Sequence, residues 1–304
     1  MKQASANLVN VRHDFVYLFD CQDGNPNGDP DADNAPRIDA ETSQGLVSDV
    51  CLKRQIRDYV RFRTSSGGLA EPGYDIFIRS GLSLENRQRI PYDTLKLDPK
   101  HKDHERIAQA RAWMCQNFYD VRAFGAVMST TEFNCGQVRG PVQITFARSL
   151  DRIVTTEHCI TRVSYTREEK ARGTTANTEI GRKYTITYGL YRAHGFINAV
   201  FAEQTGFNEA DLELLWEALA NMFDTSRSAS RGMMSARGLY VFRHSSALGR
   251  APAHTLFDTV HVARREGVES PRSFSDYTID VHERALPAGV ELIPVMRPEM
   301  ATVD

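Results

Sequence analysis

Apolar runs alternate with polar loops along this chain, and their spacing predicts both strands and helices. Residues 14–20 are aromatic and β-branched between two aspartates, which predicts a strand buried on both faces. Residues 21–41 contain glycines and prolines at short intervals, so we expect neither helix nor strand to persist there. Ser48 is a good N-cap, and Leu52 and Ile56 follow at helical spacing, so a helix is expected to begin at Ser48.

Residues 64–118 interrupt this pattern and are interpreted as an insertion. A Ser/Gly stretch ends the first helix, and the residues up to about 102 are polar without periodicity, so we expect them to be irregular. Residues 103–118 regain the spacing of an amphipathic helix.

The rest of the chain completes an α+β pattern. Residues 141–147 alternate as a half-buried strand does, and a second strand is expected over residues 184–201. Asn208 caps an amphipathic helix, residues 239–242 predict a last strand, and the polar residues 162–183 predict a protruding hairpin or loop. This order is that of an elaborated ferredoxin-like β-α-β-β-α-β core, a fold in which one sheet face often binds RNA.

Composition limits the classes of function. The 304 residues are 41% hydrophobic and 25% charged, as in a core-forming soluble protein, and the formal net charge of −2 excludes a uniformly basic nucleic-acid-binding body. Five cysteines without C-x-x-C spacing, and no signal-peptide pattern, predict a reducing cytoplasm. No apolar stretch approaches the roughly 20 residues of a membrane span, so we expect no membrane association.

An acidic loop at residues 23–34 invites a calcium interpretation. Asp29, Asp31 and Asp33 alternate like the first ligands of an EF-hand, but the sixth position of that motif would be Asn instead of Gly, and the twelfth Ala instead of Glu. An ordered loop built on Asx turns is therefore favoured over a metal site.

Other signs of enzyme chemistry are weak. His101 and His104 have only Cys115 nearby as a further zinc ligand, and the sequence contains no nucleophile elbow, Walker A or dinucleotide motif. We therefore predict no catalytic residue, no metal and no cofactor.

Three basic segments suggest nucleic-acid binding instead. On the first helix, Lys53, Arg54, Arg57 and Arg61 fall within one sector of about 100°, although such a charged face is often only solvated. The predicted protrusion carries more cations than acids, as a flexible polar loop also would. Its cations are Arg162, Arg167, Lys170, Arg172, Arg182 and Lys183.

The third segment, residues 224–238, is the most informative. From Thr225 to Phe257 there is no acidic residue, while Arg227 and Arg231 lie among glycines and serines. Small residues let backbone N–H groups approach phosphate oxygens, and arginine supplies paired donors. Residues 122–127 match the aromatic RNA-recognition signature poorly, so we expect contacts to the RNA backbone instead of base reading.

Four segments together resemble a known family. They are Phe-Asp-x-x-x-Gly-Asn-Pro-Asn-Gly-Asp-Pro-Asp at 19–31, Asn-Ala-Pro-Arg-Ile-Asp at 34–39, residues 45–57, and residues 120–128. The chain, from about Val11 to Met296, resembles the backbone subunits of type I-C CRISPR Cascade complexes, members of the repeat-associated mysterious protein superfamily. The resemblance implies an RRM-like palm (11–63 and 119–296), a fingers insertion (64–118) and a thumb hairpin (160–185).

The resemblance also implies function and partners. Several copies would line up on one guide RNA (crRNA) without cutting it, leave its bases free to pair with target DNA, and assemble with the crRNA-processing and capping subunit, the large subunit and the small subunit. The expected RNA-binding residues are Ser48, Lys53, Arg54, Arg57, Met128, Arg167, Lys170, Arg172, Arg182, Lys183, Arg227, Ser228, Arg231, Gly232 and Met233. Related type III subunits cut target RNA with a loop aspartate, so a metal-dependent nuclease using the acidic loop is the alternative.

Overall fold

A computed structural model of the chain describes residues 7–66, 69–99, 103–162 and 179–296. Its strands are β1 (His13–Gly24), β2 (Gly28–Asp29), β3 (Ala35–Pro36), β4 (Gln44–Val47), β5 (Ser65–Ser66), β6 (Leu69–Ala70), β7 (Gly125–Met128), β8 (Gly136–Arg139), β9 (Val142–Ile144), β10 (Ala147–Arg152), β11 (Thr155–Arg162), β12 (Glu179–Ile197), β13 (Met233–His244), β14 (Val260–Arg264), β15 (Tyr277–Val281) and β16 (Val290–Met296). Its helices are α1 (Asp49–Arg63), α2 (Leu84–Leu95), α3 (His104–Asn117), α4 (Tyr119–Phe124), α5 (Ala199–Thr205), α6 (Glu209–Thr225) and α7 (Ala253–Phe257).

The largest sheet within the described ranges is antiparallel and follows the order β16-β13-β1-β12-β10-β4, with β9 and β11 also paired to β12. Its four central strands therefore run β13-β1-β12-β10. This order places the third core strand between the first and the second, as in the split β-α-β arrangement expected from the sequence. A mixed α/β fold with a large antiparallel sheet is confirmed.

One face of the sheet packs against α1 and α6. Phe15, Tyr17 and Phe19 of β1 are fully buried there with apolar residues of both helices. Ser48 caps α1, and Asn208 forms a capping box with Asp211 at the start of α6, as the sequence predicts. Helices α1 and α6 are thus fixed by caps and by burial of their apolar faces.

The opposite face is also covered. Val16 and Leu18 of β1 are fully buried with Phe242 against α7 and the β14–β15 hairpin. The prediction that the first strand is buried on both faces is therefore correct. Over these strands, the sheet has no open surface on which bases could stack.

Residues of the predicted insertion share a second apolar core. Phe77, Tyr92 and Met114 pack there with Met128 and Cys135, so this core draws on residues on both sides of position 118. Helix α3, capped by Asp103, confirms the amphipathic segment.

The expectation of irregular structure up to residue 102 is wrong, because α2 lies within it. The helix contains Pro91, which removes a backbone hydrogen bond and normally disfavours a helix interior. Tertiary contacts offset this cost: Arg87 Nη2 donates to the Ile76 carbonyl at 2.6 Å, and the Tyr92 hydroxyl donates to the Asn134 carbonyl at 2.7 Å.

Several strand boundaries also differ from expectation. The single strand predicted over residues 141–147 is divided between β9 and the start of β10. β1 continues to Gly24, into the predicted loop, because it is paired on both sides; β2 and β3 form a short hairpin in the same region. β12 ends at Ile197, since Asn198 caps α5, and β13 begins at Met233, six residues before the predicted start. Hydrogen bonds from neighbouring strands decide these limits.

β11 and β12 form an antiparallel ladder from Thr155 opposite Ile186 to Arg162 opposite Glu179. Residues 163–178, at the centre of the predicted thumb, lie outside the described residues. None of the described helices is both long and apolar enough to cross a membrane.

Candidate nucleic-acid interface

The Gly/Arg loop, residues 226–232 between α6 and β13, lies against α1. The Ser226 hydroxyl donates to Gln55 Oε1 at 2.8 Å, and Arg231 Nη1 lies 3.3 Å from the same oxygen. Arg231 also donates to the Ser226 carbonyl at 3.3 Å. Two basic segments that are far apart in the sequence are therefore adjacent in the fold.

Two glycines let the Gly/Arg loop approach the end of β1. A Cβ at Gly24 would lie 1.9 Å from the Arg231 carbonyl oxygen. Gly232 has φ +62°, and a Cβ there would lie 2.5 Å from the carbonyl oxygens of Gln22 and Asp23. Only glycine fits such backbone-to-backbone contact, so these two positions fix the place of the loop.

The predicted cations of α1 have different environments. Arg54 is 68% exposed, with an aspartate 3.9 Å away on the same helix. Lys53 donates to Asp49 at 3.0 Å, and its side chain is only 14% exposed. Arg57 is buried and donates to Asp120 Oδ2 at 2.9 Å, so its guanidinium already has a protein partner. Of these three, Arg54 is the most accessible to a phosphate.

Arg54 lies on the solvent side of α1, between the two flanks of the helix. At about 100° per residue, Lys53 and Gln55 are on opposite flanks, and Arg54 projects between them. Arg231 bonds to Gln55, while Lys53 lies 5.7 Å from the centre of the Phe124 ring. On the outer face of α1, Arg54 therefore lies between Lys53 and the flank that contacts the Gly/Arg loop.

Other predicted contacts lie at exposed or partly exposed positions. Ser48 caps α1 and is partly exposed, and Met233, at the start of β13, is 57% exposed. The Ser228 hydroxyl accepts the Arg231 backbone N–H at 3.3 Å, and Arg227 Nη1 donates to the Met234 carbonyl at 2.9 Å.

Met128 does not meet the expectation that it contacts RNA. It is fully buried in the second core, so in this conformation its side chain offers no surface to RNA. Its place at the end of a segment that resembles the family is the basis of that expectation.

The base of the β11–β12 ladder contacts both neighbouring loops. Lys183 Nζ donates to the Ala229 carbonyl in the Gly/Arg loop at 2.6 Å, and the Tyr184 hydroxyl donates to Asp33 in the acidic loop at 3.3 Å. Arg182 is exposed and lies 3.3 Å from Glu157. The remaining predicted thumb residues, Arg167, Lys170 and Arg172, lie outside the described residues.

The acidic loop is ordered by Asx and backbone contacts, as predicted. Asp29 caps a short 3-10 turn by accepting the Asp31 N–H at 3.2 Å, and Asn25 donates through its backbone N–H to the Ser230 carbonyl at 2.8 Å. Asp29 is also 3.3 Å from Arg37. Across the described ranges, no three His, Cys, Asp or Glu side chains converge as metal ligands.

The pKa of the Cys51 thiol on α1 responds to nearby positive charge. Burial raises the pKa of this thiol, and three arginines oppose the increase: Arg231 most, then Arg54 and Arg37. Geometry places two of these arginines at α1, since Arg54 belongs to the helix and Arg231 bonds to Gln55 of the same helix. Arginine remains charged at any physiological pH, so this positive potential is permanent.

Sequence reasoning did not single out Gln55 or Asn27. Gln55 accepts from both Ser226 and Arg231, whereas Asn27 Oδ1 accepts from the N–H and the hydroxyl of Ser48, each at 2.9 Å. Asn27 lies in the motif at residues 19–31, whereas Gln55 lies between the cations Arg54 and Arg57. The signal available in the sequence for Gln55 was an uncharged amide among the cations of a predicted helix.

The sequence model of one protein family, described as CRISPR-associated protein Cas7, matches residues 11–282. The chain belongs to the Cas7 family. A protein of Haloferax volcanii named CRISPR-associated protein Cas7 is 28% identical over 294 residues, which cover 90% of this chain and 81% of that protein.

Two solved structures are similar to this Cas7-family chain over about three quarters of its length. One is a chain of a CRISPR RNA-guided surveillance complex, pre-nicking, with a TM-score of 0.47, 12% identity, and coverage of 76% of this chain and 78% of that one. Another, from a type III-B Cmr-beta complex bound to cognate target RNA, has a TM-score of 0.40, 10% identity, and coverage of 76% and 61%.

Proposed function

We propose that this Cas7-family chain is a non-catalytic backbone subunit of a type I-C CRISPR Cascade complex in the cytoplasm. Several copies line up along one crRNA, hold its sugar–phosphate chain and present its bases to target DNA. Residues 11–63 and 119–296 serve as the palm, 64–118 as the fingers and 160–185 as the thumb.

The observation that carries this proposal is the contact between the Gly/Arg loop and α1. Arg231 bonds to Gln55, so an acid-free loop and a cationic helix face form one surface. A chain with a formal net charge of −2 needs such local concentration of cations to bind a polyanion. Arginine and backbone N–H groups contact phosphates without distinguishing sequence.

The covered sheet supports contact with the backbone in preference to base reading. β1 and β13 have apolar residues buried on both faces, and α7 with the β14–β15 hairpin occupies the face that is open in many RNA-binding domains. Bases held at the Gly/Arg loop would remain available for pairing.

The experiment is RNA binding by the purified chain over a range of salt concentrations. We expect a ladder of complexes on one RNA and an affinity that falls steeply with salt, because several phosphates are neutralised per subunit. Arg54→Ala should weaken binding to unrelated RNA sequences equally. Binding that is insensitive to salt, or a loss confined to one sequence, would contradict this function.

The nuclease alternative has a separate test. The assembled complex is incubated with complementary RNA and a divalent metal, and Asp29→Asn and Asp31→Asn variants are compared with the parent. Regularly spaced cuts that either substitution abolishes would replace the non-catalytic proposal with the nuclease.

A further inference from the structure

A cleft of about 1150 Å³ lies away from the candidate nucleic-acid interface, with walls from α3, β8, α5 and the residues before β1. Asn208, the N-cap of α6, lines one side of it, whereas the Gly/Arg loop follows the other end of that helix. The 17 residues of α6 span about 25 Å. The cleft is therefore separate from the surface assigned to RNA.

The floor of the cleft is already neutral and fully bonded. Arg122 forms a bidentate pair with Asp211, through Nε at 2.8 Å and Nη2 at 2.7 Å. Its remaining donors reach the Cys115 carbonyl at 2.8 Å and the Gly73 carbonyl at 3.1 Å. Arg122 thus holds the walls together and offers no free charge to a ligand.

Two other arginines of the cleft have no carboxylate partner among the described residues. Arg111 of α3 reaches the start of β8, where a Cβ at Gly136 would lie 3.8 Å from its Nη1. Arg139, at the end of β8, lies 4.8 Å from the centre of the Phe201 ring of α5. Stacking on a ring leaves the in-plane donors of a guanidinium available. The cleft therefore has two positive charges that these residues do not neutralise.

Uncharged groups of the cleft match a polypeptide. Gln116, Gln137 and Gln204 come from α3, β8 and α5, and their side-chain amides have no hydrogen-bond partner within the described ranges. Each amide provides donors and an acceptor, as a peptide group does. Thr205 is only 6% exposed, and its hydroxyl is buried without a partner in the described part of the chain. Because an unpaired buried polar atom is unfavourable, this environment favours a ligand that bonds to Thr205.

The residues before β1 add a free backbone edge. Two backbone hydrogen bonds, of 3.3 and 2.9 Å, join residues 7–9 to residues 207–209 and flank the antiparallel pair of Leu8 with Asn208. In this geometry the N–H and C=O of Leu8 point away from Asn208. Leu8 lines the cleft, so an extended peptide can add to this edge through its backbone.

We propose that this cleft binds an extended, acidic peptide segment of a partner protein. Carboxylates of the segment pair with Arg111 and Arg139, and its backbone bonds to the glutamine amides and to Leu8. The volume of about 1150 Å³ exceeds the roughly 1,000 Å³ of large small-molecule sites, which favours a peptide over a metabolite.

Glu203 disfavours a nucleic acid as the occupant. It lines the cleft and has no cation partner among the residues described. A nucleic-acid strand carries a phosphate at every residue and would be repelled there, whereas a peptide can place a backbone N–H beside this carboxylate.

The probe is a fluorescently labelled peptide of about ten residues in which glutamate alternates with alanine, and its analogue has glutamine in place of every glutamate. Binding to the full chain is measured by anisotropy at low and high salt. We expect the glutamate peptide to bind about tenfold or more tightly than the analogue, with an affinity that falls with salt. Arg111→Ala and Arg139→Ala should each weaken its binding about tenfold. Glu203→Gln should strengthen it about twofold to fivefold, because a like charge is removed.

Thr205→Val separates binding from folding. Valine has nearly the shape of threonine and removes only a hydroxyl that has no partner within the described residues, so the melting temperature should stay the same or rise. Affinity for the glutamate peptide should fall about fivefold, because one hydrogen bond is lost. A lower melting temperature with unchanged affinity would show that the hydroxyl serves the fold, and would count against the site.

Arg79→Ala is the matched control. Arg79 is also exposed and without an acidic partner among the described residues, but it lies outside the cleft. We expect this variant to bind the glutamate peptide as the parent does. Equal binding of both peptides by the parent, or parent affinity in both cleft arginine variants, would overturn the site.

RNA binding and self-association of Arg111→Ala identify other occupants. We expect the parent RNA affinity, because the cleft lies at the far end of α6 from the Gly/Arg loop. A loss of RNA affinity would make the occupant a nucleic acid, and altered self-association in sedimentation would make it a second copy of this chain. Either result would overturn the peptide site. Failure of the peptide site with intact, salt-dependent RNA binding would leave the proposed function standing.

Discussion

Gly24→Ala should displace the Gly/Arg loop and so connect the fold directly with RNA binding. The added Cβ would lie 1.9 Å from the Arg231 carbonyl oxygen and 2.7 Å from the Gly232 nitrogen, both backbone atoms that cannot rotate away. Ordinary contact begins near 3.4 Å, so β1 and the loop must separate by about 1.5 Å. Such a shift breaks the 2.8 Å hydrogen bond from Asn25 to Ser230.

The expected cost has two parts. Overpacking of this kind destabilises a fold by about 1–3 kcal/mol, to be measured by denaturant unfolding. Displacement of Arg231 from Gln55 removes a positioned phosphate contact, for which we expect about a tenfold loss of RNA affinity, or ~1.4 kcal/mol. Both values are measured on the same preparation, with affinity determined at a fixed salt concentration.

Gly206→Ala separates loss of stability from loss of the interface. Gly206 ends α5 with φ +82°, and a Cβ there would meet nothing within 4 Å, so only the left-handed backbone is penalised, by about 1–2 kcal/mol. We expect this variant to lose stability and keep RNA affinity. If Gly24→Ala bound RNA as the parent does, or if Gly206→Ala lost as much affinity, the place assigned to the loop would be refuted.

Two other predictions concern stability. Arg57→Ala leaves Asp120 buried without its cation and should lower the free energy of unfolding, measured with denaturant, by about 3–5 kcal/mol. Arg54→Ala removes an exposed side chain and should lower it by less than about 0.5 kcal/mol. Equal effects of the two substitutions would contradict a structural role for Arg57. Burial, then Arg243, lowers the pKa of His13 from 6.5 to about 4. The unfolded chain thus takes up a proton first, so stability should fall from about pH 6.5 to pH 4, by up to about 3 kcal/mol. His13→Gln should reduce this loss of stability. If the variant and the parent had the same dependence of stability on pH, His13 would not be the group responsible.

Local patterns in the sequence were sufficient for the central strands and helices of the sheet. The apolar run at the start of β1, the caps Ser48 and Asn208, and the amphipathic spacing of α3 each report a local preference of backbone or side chain, and each is found as predicted. The basic character of α1 and of the Gly/Arg loop was also predictable from the sequence, since charge is a property of residue type.

Tertiary structure decided which of those residues can meet a ligand. Arg57 and Met128 are buried, and Pro91 lies within a helix, because partners distant in sequence compensate each of them. Gln55 and Arg231 are 176 residues apart, and their contact depends on the register of β1 with β13. Local propensity extends over a few residues, whereas register is set by the packing of the entire sheet. The sequence alone therefore determined the central elements of the fold and the charges they carry, and only the tertiary structure determined their arrangement into one cationic surface.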